Sequence, residues 1–76
     1  MFSKNIFCER LKNERLKLNQ TQSAVGSAIK VPKQYVSRWE KGNQEPNLAT
    51  ICALADYFNV SIDYLVGRTD RPEINK

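Results

Sequence analysis

Residues 21–42 decide how this chain folds: Thr21-Gln22-Ser23-Ala24-Val25-Gly26-Ser27-Ala28-Ile29-Lys30-Val31-Pro32-Lys33-Gln34-Tyr35-Val36-Ser37-Arg38-Trp39-Glu40-Lys41-Gly42. Thr21 is an N-cap residue, and Ala24, Val25, Ala28 and Ile29 behind it repeat at helical spacing, which predicts a short helix from Gln22 to Ile29. Lys30-Val31-Pro32 is a three-residue connection. Proline lacks the backbone N–H that a helix interior needs, but its fixed φ suits the start of a helix. A second helix is therefore expected over Lys33 to Lys41, closed by Gly42 as a C-terminal cap. Two short helices joined by so tight a turn make a helix-turn-helix arrangement.

The second of these helices has two unlike faces. At about 100° per residue, Lys33, Gln34, Ser37, Arg38 and Lys41 fall on an arc of about 140°, while Val36 and Trp39 lie opposite and Tyr35 to the side. The polar arc carries three cations and an amide. A DNA major groove admits one α-helix, and Arg, Lys and Gln pair there with guanine and adenine edges. An ordinary amphipathic surface helix shows the same division, so the wheel alone leaves both readings open.

Working outward, Ser3 can cap a first helix whose stripe is Phe7, Leu11 and Leu18, flanked by Cys8 and Arg15, with Asn19-Gln20 as the break. Asn47 caps a fourth helix with an inner face of Leu48, Ile51, Cys52, Leu54, Ala55 and Phe58. Asn59-Val60 interrupts it. Ser61 caps a short fifth helix bearing Ile62, Leu65 and Val66, and Gly67 stops it. No alternating run predicts a strand. The expected class is all-α, a compact five-helix bundle, with residues 1–67 as one domain and 68–76 as a flexible tail.

Composition agrees. The 76 residues suffice for one domain, and 41% apolar residues support a packed core. Net charge is +4 but uneven: residues 1–44 hold nine Lys/Arg against three acidic residues, and 45–76 hold three against five. A polyanionic partner is expected at the basic end. Cys8 and Cys52 could pair as one disulfide, but no signal peptide precedes them. Their apolar stripes favour buried free thiols. No histidine, carboxylate cluster, nucleophile motif or phosphate loop is present, so neither an enzyme nor a metal site, cofactor or small-molecule ligand is expected. No apolar run is long enough to span a membrane, and a cytoplasmic location is expected.

Three further segments carry a resemblance. Thr21-Gln22, the run Ser37-Arg38-Trp39-Glu40-Lys41-Gly42 followed by Pro46, and Val60-Ser61-Ile62-Asp63-Tyr64-Leu65-Val66-Gly67 are similar, at this spacing, to the phage-repressor and Cro type of helix-turn-helix domain, the XRE family. The resemblance spans about residues 6–67. It implies a lambda-repressor-like five-helix fold and a regulator of transcription, most often a repressor, that lays its third helix in the major groove of double-stranded DNA. It implies base contacts by Lys33, Gln34 and Arg38. Ser37 and Tyr35 are further candidates, with core-edge packing equally open for Tyr35.

Phosphate contacts are expected from Thr21, Gln22 and Lys41. Asn43 and Gln44 join them unless they serve only the turn. The resemblance also implies an ion pair between Arg15 and Glu40, fixing helix three on helix one. A homodimer on an inverted repeat is expected, its surface drawn from Ile62, Tyr64 and Ile74. The alternative is an antitoxin or interaction module that binds a protein partner through this fold. Three departures from the family pattern stand out. Lys30 sits where Gly is usual, Pro32 replaces a Ser or Thr cap, and Gly26 stands where Ala is common.

Overall fold

A computed structural model describes residues 3–74 and places five α-helices among them, with no strand: α1 (Lys4–Lys17), α2 (Gln22–Ile29), α3 (Lys33–Lys41), α4 (Leu48–Phe58) and α5 (Ile62–Leu65). The predicted bounds of α2 and α3 are the observed ones. The helix starts follow from their caps. Ser3 Oγ, Thr21 Oγ1, Asn47 Oδ1 and Ser61 Oγ each accept a hydrogen bond from the N–H three residues on, at 3.4, 3.0, 2.8 and 3.0 Å. Pro32 caps α3 with extended backbone and no side-chain bond. The ends of α2, α3 and α4 turn through left-handed residues, Lys30, Gly42 and Asn59.

These helices meet around Phe7, Leu11, Val25, Val36, Trp39, Ile51, Leu54, Ala55, Phe58, Val60, Leu65 and Val66, all buried. Packing is pairwise: α2 lies on α3 and α4, α1 on α3 and α5, and α4 on α5. The indole N–H of Trp39 is buried with no hydrogen-bond partner among the described residues.

Four expectations about burial are corrected. Leu18 is 51% exposed. It lies about 16 Å along the axis from Phe7, beyond the bundle edge, and α1 has already ended at Lys17. The stripe position nearer the core is instead filled by Glu14, buried and paired with Lys17 Nζ at 3.0 Å. Leu48 opens α4 and is 70% exposed, because the first turn overhangs the core. Ala28 faces solvent, and α2 buries Val25 and Gly26 instead. Cys8 and Cys52 are free, as expected, but half-buried. Burial raises the Cys8 thiol pKa above its usual value.

Among the described residues beyond Gly67 there is no regular structure, yet several of them are hydrogen-bonded back to the bundle. Arg10 Nη1 donates to the carbonyls of Tyr64 (2.5 Å) and Thr69 (2.6 Å), and Nη2 to Asp70 Oδ1 (2.9 Å). The Ser61 N–H donates to the Pro72 carbonyl at 2.9 Å.

Candidate nucleic-acid interface

The turn between α2 and α3 sets the site. Lys30 takes φ 65°, ψ 44°, the left-handed conformation that a glycine would adopt without strain. Val31 N–H then donates back to the Gly26 carbonyl at 2.8 Å. Gly26 is what allows so close an approach. A Cβ there would sit 2.6 Å from the Val31 carbonyl oxygen. The two helices are thereby brought together with the polar arc of α3 outward.

Lys33, Gln34, Arg38 and Lys41 are exposed, and Ser37 is half-buried. With Gln22 and Asn43 they line one hollow of about 480 Å³ that contains no carboxylate. Ion pairs among the described residues engage Arg10, Arg15, Lys17 and Arg68. Lys33, Arg38 and Lys41 form none, so their charge faces outward. Tyr35 and Gln44 do not join this hollow. They line the neighbouring one, with Glu45, Pro46, Asn47 and Thr50. Tyr35 is 40% exposed, edge-on to Trp39 at 6.3 Å, with the Arg38 guanidinium 5.8 Å from its ring centroid. Thr21 Oγ1 accepts the Ala24 N–H as the α2 cap, which leaves the O–H of this exposed side chain able to donate.

The expected ion pair is present. Arg15 Nε donates to Glu40 Oε2 at 2.7 Å and Nη2 to Oε1 at 3.0 Å. The Glu40 hydrogen bond raises the Arg15 pKa further above its already high value, so the guanidinium stays charged. Gln22 Nε2 donates to the same Glu40 Oε1 at 3.1 Å. Glu40, the one acid on α3, is thus satisfied on its inner side and does not cancel the cations of the hollow.

The residues expected at a dimer surface are split. Ile62 and Ile74 are 38% and 47% exposed and line a common hollow with Ala55, Asp56, Val60, Ser61 and Asp63. Tyr64 is half-buried, packed on the core with the Arg10 guanidinium 4.1 Å over its ring. Sequence reasoning missed Arg10 altogether. Its spacing from Leu11 marks only the edge of the α1 stripe, and its partners lie at least 54 positions away. No helix among the described residues is long and apolar enough to cross a membrane, and no cluster of candidate metal ligands occurs among them.

This geometry defines a helix-turn-helix domain, and comparison with known proteins agrees. The helix-turn-helix family model matches residues 11–65. The chain belongs to that family, in its phage-repressor or XRE type. It is 29% identical over 68 residues to the HTH-type transcriptional regulator ImmR of Bacillus subtilis, an alignment covering 90% of this chain and 54% of that protein. The chain therefore spans about half the length of this relative. A crystal structure of the c2 repressor of Salmonella phage P22, bound to a synthetic operator, superposes with a TM-score of 0.77 at 34% identity. The superposition covers 80% of this chain and 92% of that one. The fold also recurs within hydroxypropylphosphonic acid epoxidase from S. wedmorenis, at 26% identity and a TM-score of 0.77. That match covers 86% of this chain but 35% of the enzyme's.

Proposed function

We propose that this chain binds specific duplex DNA and regulates transcription as a repressor. The observation that carries the reading is the hollow between Gln22 and α3, where Lys33, Arg38 and Lys41, with no ion-pair partner among the described residues, stand beside Gln34, Ser37 and Asn43. Three outward cations without a carboxylate among them suit a polyanion. Planar donors on the exposed face of one helix suit base edges in a major groove. Similarity to a repressor bound to an operator supports the same assignment.

In this reading α3 enters the major groove. Lys33, Gln34 and Arg38 meet base edges, with Ser37 and Tyr35 flanking them. Thr21, Gln22, Lys41, Asn43 and Gln44 hold phosphates and set register. A second copy docks through Ile62, Ile74 and the edge of Tyr64, and the paired α3 helices read an inverted repeat. Occupancy follows the concentration of the chain. The chain acts in the cytoplasm without cofactor or small-molecule ligand and performs no catalysis.

The test is selection of random duplex DNA on the purified protein, followed by sequencing of the bound pool. The expected result is an enriched inverted repeat with half-sites about 10 base pairs apart, one helical turn. A single half-site would remove the dimer. A pool without enrichment, bound only weakly and at low salt, would overturn specific recognition and favour a protein partner instead.

A further inference from the structure

Five side chains link the inside of the bundle to the edge of the polar hollow. Tyr57, on α4, is half-buried and packs against the core. Its hydroxyl donates to Gln20 Oε1 at 2.7 Å. The backbone carbonyl of the same Gln20 accepts from Arg15 Nη1 at 2.9 Å. Arg15 holds Glu40 through two bonds, and Glu40 Oε1 accepts from Gln22 Nε2. Gln20 is therefore gripped by side chain and main chain at once, immediately before the Thr21 cap and the first turn of α2.

We propose that Tyr57 is a positioning residue for DNA binding, acting through Gln20 and Arg15 on Gln22; this rests on the functional reading above. The chemistry is specific. One N–H of the Gln22 amide is fixed on Glu40, and a primary amide has a second. Anchoring the first N–H fixes the amide plane and leaves the second N–H to meet a phosphate oxygen at the rim of the hollow. Gln20 sets where that amide sits, because it is the last residue before the capped turn of α2. Without the Tyr57 hydroxyl, the Gln20 side chain loses its anchor on α4, and the connection is held through the main chain alone, by the Arg15 guanidinium on the Gln20 carbonyl and the Gln20 N–H on the Arg15 carbonyl. The apolar part of the Tyr57 ring is untouched by Tyr57→Phe, so the core remains filled.

The experiment is a double-mutant cycle on the full chain, with Tyr57→Phe, Gln22→Ala and both together, measured against the selected DNA and against unrelated DNA. Gln22→Ala is expected to weaken binding to every sequence by about fivefold, the worth of one hydrogen bond. Tyr57→Phe should weaken it by a smaller factor, again on every sequence. The double variant should bind no worse than Gln22→Ala alone. Because no cation is removed, the salt dependence should stay at the wild-type slope. Independent effects that multiply, or a Tyr57→Phe variant that binds like wild type, would overturn the proposal. A second readout needs no DNA: the Gln22 side-chain amide signals in the NMR spectrum of the free protein should move in Tyr57→Phe. If they do not, the relay is absent. A wild-type chain that binds no DNA would instead overturn the functional reading, and with it any role for Tyr57 in binding, while the amide signals would still decide the relay itself.

Discussion

Arg15 and Glu40 face each other across α1 and α3 in a forked pair, Nε to Oε2 and Nη2 to Oε1, with side chains only 11% and 5% exposed. Such a pair is more valuable for what its loss strands than for its own strength. Glu40→Ala leaves a nearly buried guanidinium with only the Gln20 carbonyl. It should cost about 3 kcal/mol, the low end for a broken buried pair. A thermal melt indistinguishable from wild type would contradict this.

Gly26→Ala makes a sharper case, because two effects oppose. Alanine favours a helix over glycine by about 1 kcal/mol. The new methyl, however, would lie 2.6 Å from the Val31 backbone oxygen, which cannot swing aside as a side-chain tip would. Overpacking should win and leave a net loss of about 1–2 kcal/mol. Chemical denaturation measures it, and a rise in stability would show that the turn yields.

Lys30→Gly should act in the opposite direction. Lys30 is exposed and held left-handed at φ 65°. Relief of that conformation is worth about 1 kcal/mol. A higher denaturation midpoint at unchanged slope is the expected result.

Arg38→Ala should weaken the selected DNA site by about 1–3 kcal/mol and relax preference at one base pair. Competition among single-base variants of the site reads this directly. Equal loss on every variant would assign Arg38 to a phosphate.

Arg10→Ala tests whether residues 68–72 belong to the folded unit. It removes donors to Tyr64, Thr69 and Asp70 together. A loss of about 2 kcal/mol is expected, hence a fall in Tm of about 10 °C for a domain this small. Arg10→Lys should not restore it, since an ammonium lacks the planar fork that puts Nη1 on two carbonyls and Nη2 on Asp70 at once. A wild-type Tm in Arg10→Ala would mean that these contacts contribute nothing to stability, and a wild-type Tm in Arg10→Lys alone would mean that the charge suffices without the fork.

The polar hollow was legible before any coordinates because it is built from neighbours. Lys33, Ser37 and Lys41 recur every four residues on one helix, and Gln22 opens the preceding helix behind its own Thr21 cap. Local backbone geometry alone puts them outward. Lys30 and Gly26 were legible as departures, but their meaning was not. Only the packing of α2 on α3 shows that position 30 needs φ above zero, and that position 26 has no room for a methyl. Leu18 and Leu48 misled for a related reason. A helical wheel ranks directions around an axis and carries no information on how far along that axis the core extends.

The sequence by itself determined the five helices, the turn between α2 and α3, and the cationic face of α3, because caps, turns and 3.6-residue spacing act over a few residues. Tertiary structure alone decided the rest. It buried Glu14, seated Arg10 on the segment after α5, parted Tyr64 from Ile62 and Ile74, and brought Tyr57 to Gln20 across 37 positions of chain. Those contacts depend on how the helices pack against one another, and no periodicity within a single helix encodes that.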